Sequence, residues 1–528
     1  MALPTFPFTE TKSMTHWTNY TGTIPARQIP LYCTPDVLGD TGGTSPRKLA
    51  RHGRALKAIV AHCFDSPDAT LRTFGARLSL STIVRPGNVA LDPANLNEIR
   101  RVRPEWVTPA YRSDRGARGF VPVFAQGGTH ISRINRVLGE SGLALQTSGA
   151  GDGHRVAGCI ATGTHGSAIG IGAVHDTVLG VHLITGPNES LFVQPSNAAC
   201  TADLANWLQT ETEIPTQAVN DDELFAAAQV SLGSLGIVHG VILEATPLYA
   251  LRGLRLALPF ADARVWSTLS DLQTTRLHEG EPARPYHFEV VFSPYPTTVR
   301  PGAFITMFWK ETAGVPDAPL PPSPDTSSDT MGLISKITDL VDISASTLAL
   351  RLVMSDQLER RYKAGRIAPQ VPGMVFGPTT LPPGSGTSTE VVVAQNHAHK
   401  ALELLYDVLR AHGDRGEHLL GPVAVRFVPR TRALLGMNIA DMNCYIELPS
   451  VRNDEVHKIY RSYWDRLDQE SIAFTCHWGQ VHGLTPARVD RYFGDRARRW
   501  KEARARILTT DTARRVFASP TLAEAGLG

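Results

Sequence analysis

One short stretch constrains this chain more than any other: Val156-Ala157-Gly158-Cys159-Ile160-Ala161-Thr162-Gly163-Thr164-His165-Gly166-Ser167, followed by Gly170, Gly172 and His175-Asp176. Small residues at this density let backbone approach a ligand closely, and successive free N–H groups can cradle a pyrophosphate without a lysine. The spacing is neither a GxGxxG opening a first βα unit nor a GxxxxGK[ST] loop, so neither a Rossmann site nor a P-loop is indicated. A glycine-rich run alone is usually just a loop. Here Thr162, Thr164, His165 and Ser167 place hydrogen-bonding groups among the glycines, which marks the segment as a candidate ligand site.

The remainder of the chain has to supply a scaffold for that segment. At 528 residues it is too long for one compact core, so two domains or one domain with a large insertion is expected. With 42% hydrophobic and 19% charged residues the composition is that of an ordinary soluble globular protein, and a net charge of +2 points to no particular partner. Cys33, Cys63, Cys159, Cys200, Cys444 and Cys476 are scattered, with no CxxC pair and no Cys/His spacing that builds a zinc site. No metal is therefore expected, and a reducing cytoplasm is the simplest location. Met1 to Thr21 lacks a basic stretch followed by an apolar run, and no segment approaches the roughly 20 apolar residues that span a bilayer.

Hydrophobic periodicity gives the coarse order of elements. Ala55 to Cys63 is apolar at helical spacing, Val89 to Leu91 and Val121 to Phe124 are short β-type runs, and Ile131 to Leu138 reads as a helix. After Pro247 the character changes. Strands are expected at Tyr286 to Phe292 and Phe304 to Trp309, an exposed loop at Gly314 to Asp329, a helix over Leu333 to Leu352, and a second Pro/Gly-rich loop over Ile367 to Thr389. From Glu455 the chain is helical and charged. Its arginines between Arg488 and Arg515 alternate with Asp490, Asp495, Glu502 and Asp511, which suits a solvated helix face rather than a nucleic-acid surface.

The glycine-rich segment resembles the second flavin-binding motif of the aldonolactone and alditol oxidases, a branch of the vanillyl-alcohol-oxidase superfamily, which carries a variant of GxxATGTHGSG. Three further segments are similar to that family in the same order. Gly75-Ala76-Arg77-Leu78-Ser79-Leu80-Ser81 stands where the family has GxGHSxS, Ser231-Leu232-Gly233-Ser234-Leu235-Gly236-Ile237-Val238 resembles its LGxLGV segment, and Cys476-His477-Trp478-Gly479-Gln480 resembles its HWGK element. The resemblance implies an α+β fold, with a two-subdomain FAD-binding domain and a separate α+β cap. The boundaries it implies are an N-terminal extension over 1–54, the FAD-binding domain over 55–250, the cap over 251–454, and a C-terminal segment over 455–528 that returns to the first domain. FAD is the implied cofactor. Gly75, Ala76, Arg77, Leu78, Ser79, Ser81, Gly158, Cys159, Thr162, Thr164, His165, Gly166, Ser167, Gly170 and Ile237 are its implied contacts.

The departures from the family pattern bear on chemistry. The histidine that carries a covalent flavin bond in the family is replaced by Leu78, which has no nucleophile, so FAD is expected to be held noncovalently. The family's Glu-x-Arg becomes Ala424-Val425-Arg426, and its HWGK lysine becomes Gln480. Arg426 is then the expected cation for charge developing on flavin or on a substrate oxygen. Among the catalytic candidates Arg426, His477 and Gln480, the imidazole of His477 is the first expected base, with His482 and Glu447 behind it. Ala424, Gln480, Cys159 and Ile446 together suggest a pocket less charged than one built for a polyol.

The implied function is FAD-dependent oxidation of a CH–OH group on a small molecule larger or less polar than an alditol, with O₂ as acceptor. A dehydrogenase using another acceptor is the near alternative. A flavin-binding scaffold used for non-redox cyclisation or ligand binding is the alternative of another class, raised by the loss of the Glu and the Lys.

Overall fold

Residues 3–36, 45–149, 151–312, 347–375 and 386–528 are described by the structure, a computed structural model. Three sheets carry the chain. The first comprises β1 (Thr9–Trp17), β2 (Arg27–Pro35), β3 (Leu71–Thr73) and β4 (Val89–Leu91), in the order β1-β2-β4-β3. Ile29, Leu31 and Cys33 alternate into the core with the period of two that a half-buried strand requires. Leu31 and Leu71 both register against Val89, so β2 is an integral strand of this sheet. The described part of the N-terminal extension, β1 and β2, is therefore built into the sheet. The helix expected from Ala55 begins at Ser45 and runs to Asp65, so a boundary at 54 would cut it. Its first turns carry Ser45, Arg47 and Lys48, and that polar start hid them from a reading by apolar spacing.

The second sheet contains β5 (Ile99–Arg101), β6 (Val121–Gln126), β7 (Leu143–Leu145), β8 (Val178–Gly186), β9 (Glu189–Gln194), β10 (Thr216–Asn220) and β11 (Ile237–Pro247). Its order is β10-β9-β8-β11-β6-β5, with β7 also paired to β11. The third is an eight-stranded antiparallel sheet of β12 (Ala250–Leu258), β13 (His287–Phe292), β14 (Ala303–Glu311), β15 (Gly365–Gln370), β16 (Gly386–Ala394), β17 (Val423–Pro429), β18 (Met442–Val451) and β19 (Phe474–Cys476). Its order is β15-β12-β14-β13-β17-β18-β16-β19.

One sequence expectation changes here. The loop expected over Ile367 to Thr389 ends in strand on both sides, since Ile367 to Gln370 lies in β15 and Gly386 to Thr389 in β16. Pro369 is tolerated because β15 is an edge strand, and Thr387 and Thr389 are buried β-branched residues. The loop Gly314 to Asp329 and most of the stretch Leu333 to Leu352 lie outside the described residues, which resume at the helix Thr347–Arg361.

The last part of the chain serves two layers. β19 extends the third sheet beside β16. The helix Asp495–Ile507 returns to the first part of the molecule, where Trp500 Nε1 donates to Val230 O and Arg504 Nε to Ser234 O. Its arginines pair with carboxylates on Asp495, Glu502 and Glu223.

Through the second sheet runs a chain of buried polar groups whose protons are fixed by geometry. Gln126 Oε1 accepts the Glu98 N–H, so its Nε2 donates to both His52 Nδ1 at 3.1 Å and His239 Nε2 at 3.0 Å. His52 must then donate from Nε2 to Asp36 at 3.1 Å. His239 donates from Nδ1 to His182 Nδ1 at 2.8 Å, and His182 from Nε2 to Ser190 Oγ at 3.0 Å. All three histidines are neutral in this arrangement, and an added proton breaks a donor–acceptor pair. Burial pushes His52 down to about 4 and His182 down to about 3, and drives His239 well below its usual value.

These folded values lie below the ordinary imidazole value of about 6.5, so the unfolded chain takes up protons first. The stability the histidines contribute is complete above that pH and falls as the pH drops toward 4. Urea unfolding at pH 7.5 and at pH 5.5 should show a clear loss at the lower pH, approaching about 1.4 kcal/mol per pH unit for each histidine. A midpoint unchanged between those pH values would contradict the neutral chain.

Candidate active site

The four motif segments are far apart in sequence and are joined by specific hydrogen bonds. Leu80 N donates to Gly479 O at 2.6 Å, and Ser81 Oγ to Trp478 O at 2.6 Å, which ties the first glycine loop to the Cys476–Gln480 element. Leu232 N donates to Ala161 O, linking the third segment to the second. Ser167 Oγ donates to Phe288 O in β13 and accepts from Phe427 N in β17 at 3.0 Å. The glycine-rich segment is thereby pinned to the third sheet beside Glu289 and Arg426.

Between these segments lies a cleft open to solvent, lined by Arg72 to Ser79 on one side and by His154, Arg155, Gly158, Ala161 and Thr162 on the other, with Leu232 and Gly233 closing it. Gly75 and Gly158 face each other, and a Cβ on either would stand 3.9 Å from the other's Cα. The missing side chains leave bare backbone at the cleft wall. Leu78 lines the cleft where the family has its histidine. Arg77 also lines it, but is an exposed residue at φ 61° whose guanidinium reaches back to Thr18 O at 3.5 Å.

The lining residues missed in the sequence include Arg72 and His154. Arg72 is 3% exposed and donates only to neutral oxygens: the carbonyls of Ile83, Leu232 and Gly233 and the hydroxyl of Ser234. Its Nε has no acceptor, and burial lowers its proton affinity to about 10. His154 Nδ1 likewise has no partner. An arginine between Leu71 and Thr73, in the short strand β3, was the available signal for the first.

Other expected contacts stand away from the cleft. Cys159 is fully buried in the helix Val156–Thr162 and packs into the core, and burial pushes its thiol up to about 12. Thr164 and Gly166 are packed against the Thr147–Gly149 loop. Gly170 is exposed, with nothing within 4 Å of where a Cβ would stand. Ile237 opens β11 opposite Ile184 and is buried in the core.

The catalytic candidates meet on one face of the third sheet. Strand register places Glu289 opposite Arg426 and Arg426 opposite Tyr445 in one cross-strand row. The next row of the same face is Val291, Ala424, Glu447 and Glu390. Arg426 Nε donates to Glu289 at 2.8 Å and Nη1 to Glu447 at 2.6 Å, with Glu390 at 3.6 Å. Burial alone would lower the guanidinium's proton affinity, and the pull of Glu447, Glu289 and Glu390 outweighs it and pushes it up. Gln480 Nε2 donates to Glu447 at 3.1 Å. Tyr445 stacks 3.8 Å from the His165 ring, and its hydroxyl has no partner.

His165 faces two acceptors. Its Nδ1 lies 2.9 Å from Gly166 O, and its Nε2 lies 3.0 Å from Glu390 Oε2. A neutral imidazole has one N–H, so either the ring carries two protons or Glu390 carries one. His477 contributes a third ligand-type atom within 4.8 Å of these, but the His165 and Glu390 atoms already share a proton.

Three sequence expectations are corrected by this geometry. His477 does not titrate near neutrality: burial drives it down to about 3, and its Nδ1 accepts the Gly479 N–H at 3.0 Å. Ile446 lies on the opposite face of β18 from Glu447, and Cys159 faces the core, so neither shapes this site. The site is also not poor in charge, because Glu289, Glu390 and Glu447 surround Arg426. Glu447 was among the expected bases; Glu289 and Glu390 were not, and each interrupts an apolar strand run, in HFEVVF and TEVVV, which was the missed signal. His482 lies apart, in edge contact with Trp478.

A family model described as D-arabinono-1,4-lactone oxidase matches residues 386–520. The D-arabinono-1,4-lactone oxidase of Candida glabrata is 26% identical over 192 residues, 35% of this chain and 31% of that protein. The one from Yarrowia lipolytica is 31% identical over 151 residues, 28% of this chain and 24% of its own. The chain thus spans less than a third of the length of these two curated relatives. Among solved structures, a solvent-stable cholesterol oxidase superposes with a TM-score of 0.69 at 14% identity, over 98% of both chains. A cholesterol oxidase from B. sterolicum gives 0.67 at 13% identity, over 99% of both. The fold is the α+β arrangement implied by the motifs, a two-subdomain first domain with a separate cap.

The Ser167 tie and the exposed Gly170 make a paired test inside one motif. Ser167→Ala leaves a buried carbonyl and a buried N–H unpaired and should cost about 2–4 kcal/mol in urea unfolding. Gly170→Ala should stay within about 0.5 kcal/mol. Equal effects would contradict the placement of both residues.

Proposed function

We propose that this chain, which is similar to the aldonolactone-oxidase branch of the vanillyl-alcohol-oxidase flavoprotein superfamily, binds FAD noncovalently and oxidises a CH–OH group of a small molecule. The observation that carries this reading is continuity. One segment lines the cleft through Gly158 and Thr162 and reaches the Arg426 cluster through His165.

The residues at the cleft fit the cofactor. Arg72 is a buried cation with no carboxylate partner among the described residues, its Nε–H is free, and Gly75 and Gly158 present bare backbone at the cleft wall. Leu78 supplies no nucleophile, and the Cys159 thiol is directed into the core, so neither position offers a covalent anchor. Bound FAD supplies an acceptor for the hydride of a CH–OH carbon. Arg426 is a permanent positive charge for negative charge developing beside it, and Gln480 and Tyr445 add a polar rim.

An apolar alcohol is the substrate class that the surroundings favour. On the same sheet face, Val291, Phe304 and Ala424 pack with Met354, Leu358 and Tyr362, so one flank of the charged cluster is hydrocarbon. Cholesterol, the substrate in the names of the solved relatives, is a bulky apolar alcohol of this kind. Molecular oxygen is the proposed acceptor. The three carboxylates around Arg426 weaken the case for a non-redox scaffold, which rested on the missing Glu and Lys.

The purified protein should be yellow, and acid precipitation should release FAD into the supernatant. A colourless protein would sink the cofactor assignment, and flavin retained in the pellet would sink noncovalent attachment. Under air, hydrogen peroxide should form at least tenfold faster with a bulky apolar secondary alcohol than with a simple alditol. The reverse order would contradict the substrate class, and flavin reduction without peroxide would mark a dehydrogenase.

A further inference from the structure

A residue must take the hydroxyl proton, and the geometry of the cluster narrows the choice. His477 uses its Nδ1 lone pair on the Gly479 N–H, and burial keeps its ring neutral, with the remaining proton on Nε2. His165 is clamped between Gly166 O and Glu390, with no lone pair left for a substrate. Among the carboxylates, Glu390 has a side chain 1% exposed and is committed to His165, while Glu289 is 6% exposed and lies on the far side of Arg426. Glu447 is the most open at 15%.

The partners of Glu447 are all donors. Arg426 Nη1 holds Oε2 at 2.6 Å, Gln480 Nε2 holds Oε1 at 3.1 Å, and Ser388 Oγ stands 3.3 Å from Oε1. Such a set orients the carboxylate and leaves its other lone pairs as acceptors. Its partner in the β17–β18 register is Ala424, which contributes only a methyl. Charge balance points the same way. The positive charge of Arg426 and the proton held by the His165–Glu390 pair offset two of the three carboxylates, which leaves the cluster one positive charge short.

We propose that Glu447 is the catalytic base, a carboxylate carried one strand across from residue 424. This rests on the proposed flavin-dependent alcohol oxidation. As the carbonyl forms, the O–H bond breaks and its proton passes to a Glu447 oxygen, while the C–H bond breaks and its electron pair leaves as hydride to the flavin. Glu447 ends protonated, and the cluster gains the positive charge it lacked.

The test uses the full-length FAD-loaded protein. Glu447→Gln should keep its FAD content and lose at least 100-fold in the anaerobic rate of flavin bleaching by alcohol. The double variant Ala424→Glu with Glu447→Ala should recover at least tenfold of that loss. A second readout needs no turnover. In the wild type the primary-amine analogue of the alcohol, bound as its ammonium ion, should bind at least tenfold tighter than the parent alkane by calorimetry, and Glu447→Gln should abolish the difference. Glu447→Gln bleaching at the wild-type rate would overturn the proposal, as would equal wild-type affinity for amine and alkane. A wild type that is not bleached by any alcohol would instead overturn the functional reading on which the proposal rests.

Discussion

A guanidinium buried among three carboxylates is the interaction on which the rest of the site depends. Removing Arg426 from water is costly, and no single carboxylate at an ordinary distance would repay it. The cost is met collectively by Glu289, Glu447 and Glu390. They come from three different strands of one sheet, and only the observed register brings them together. A slip of one residue in any of these strands would turn its carboxylate to the opposite face and leave an unpaired buried charge. The same ion cluster therefore specifies both the sheet register and the chemistry of its open face.

The second dependency is the attachment of that sheet to the glycine loops. Ser167 joins the glycine-rich segment to β13 and β17 beside Glu289 and Arg426, and Ser81 joins the first loop to Trp478 beside Gln480. Both ties are buried, so breaking either leaves polar groups without partners. They hold the cleft and the charged cluster as one continuous surface. The glycines contribute by what they lack, as at Gly75 and Gly158, where bare backbone lines the wall.

Much of this was legible in the sequence because local motifs encode local geometry. The four glycine-bearing and aromatic segments stand together in space, and Arg426 and Gln480 meet in the cluster. The rest depends on long-range pairing. Glu289 and Glu390 sit in separate apolar strand runs, and no local pattern says that they share a face with Arg426. His477 was misread because the ordinary titration of an imidazole says nothing about the burial that holds this one neutral. Cys159, Gly170 and Ile237 lie within motifs that do contact the cleft, yet a helix or strand shows only some of its residues to one side. The early strand β2 went unseen because, beyond β1, its pairing partner is a three-residue strand more than fifty positions away.

The central claim is that cleft and cluster form a single site for oxidising an alcohol. Anaerobic stopped-flow spectroscopy of the wild-type protein tests it most directly, with the visible flavin band followed after mixing with a bulky apolar secondary alcohol. The account predicts full single-turnover loss of that band, at a rate that saturates with alcohol concentration. A flavin band unchanged by any alcohol, in protein that holds FAD, would contradict it.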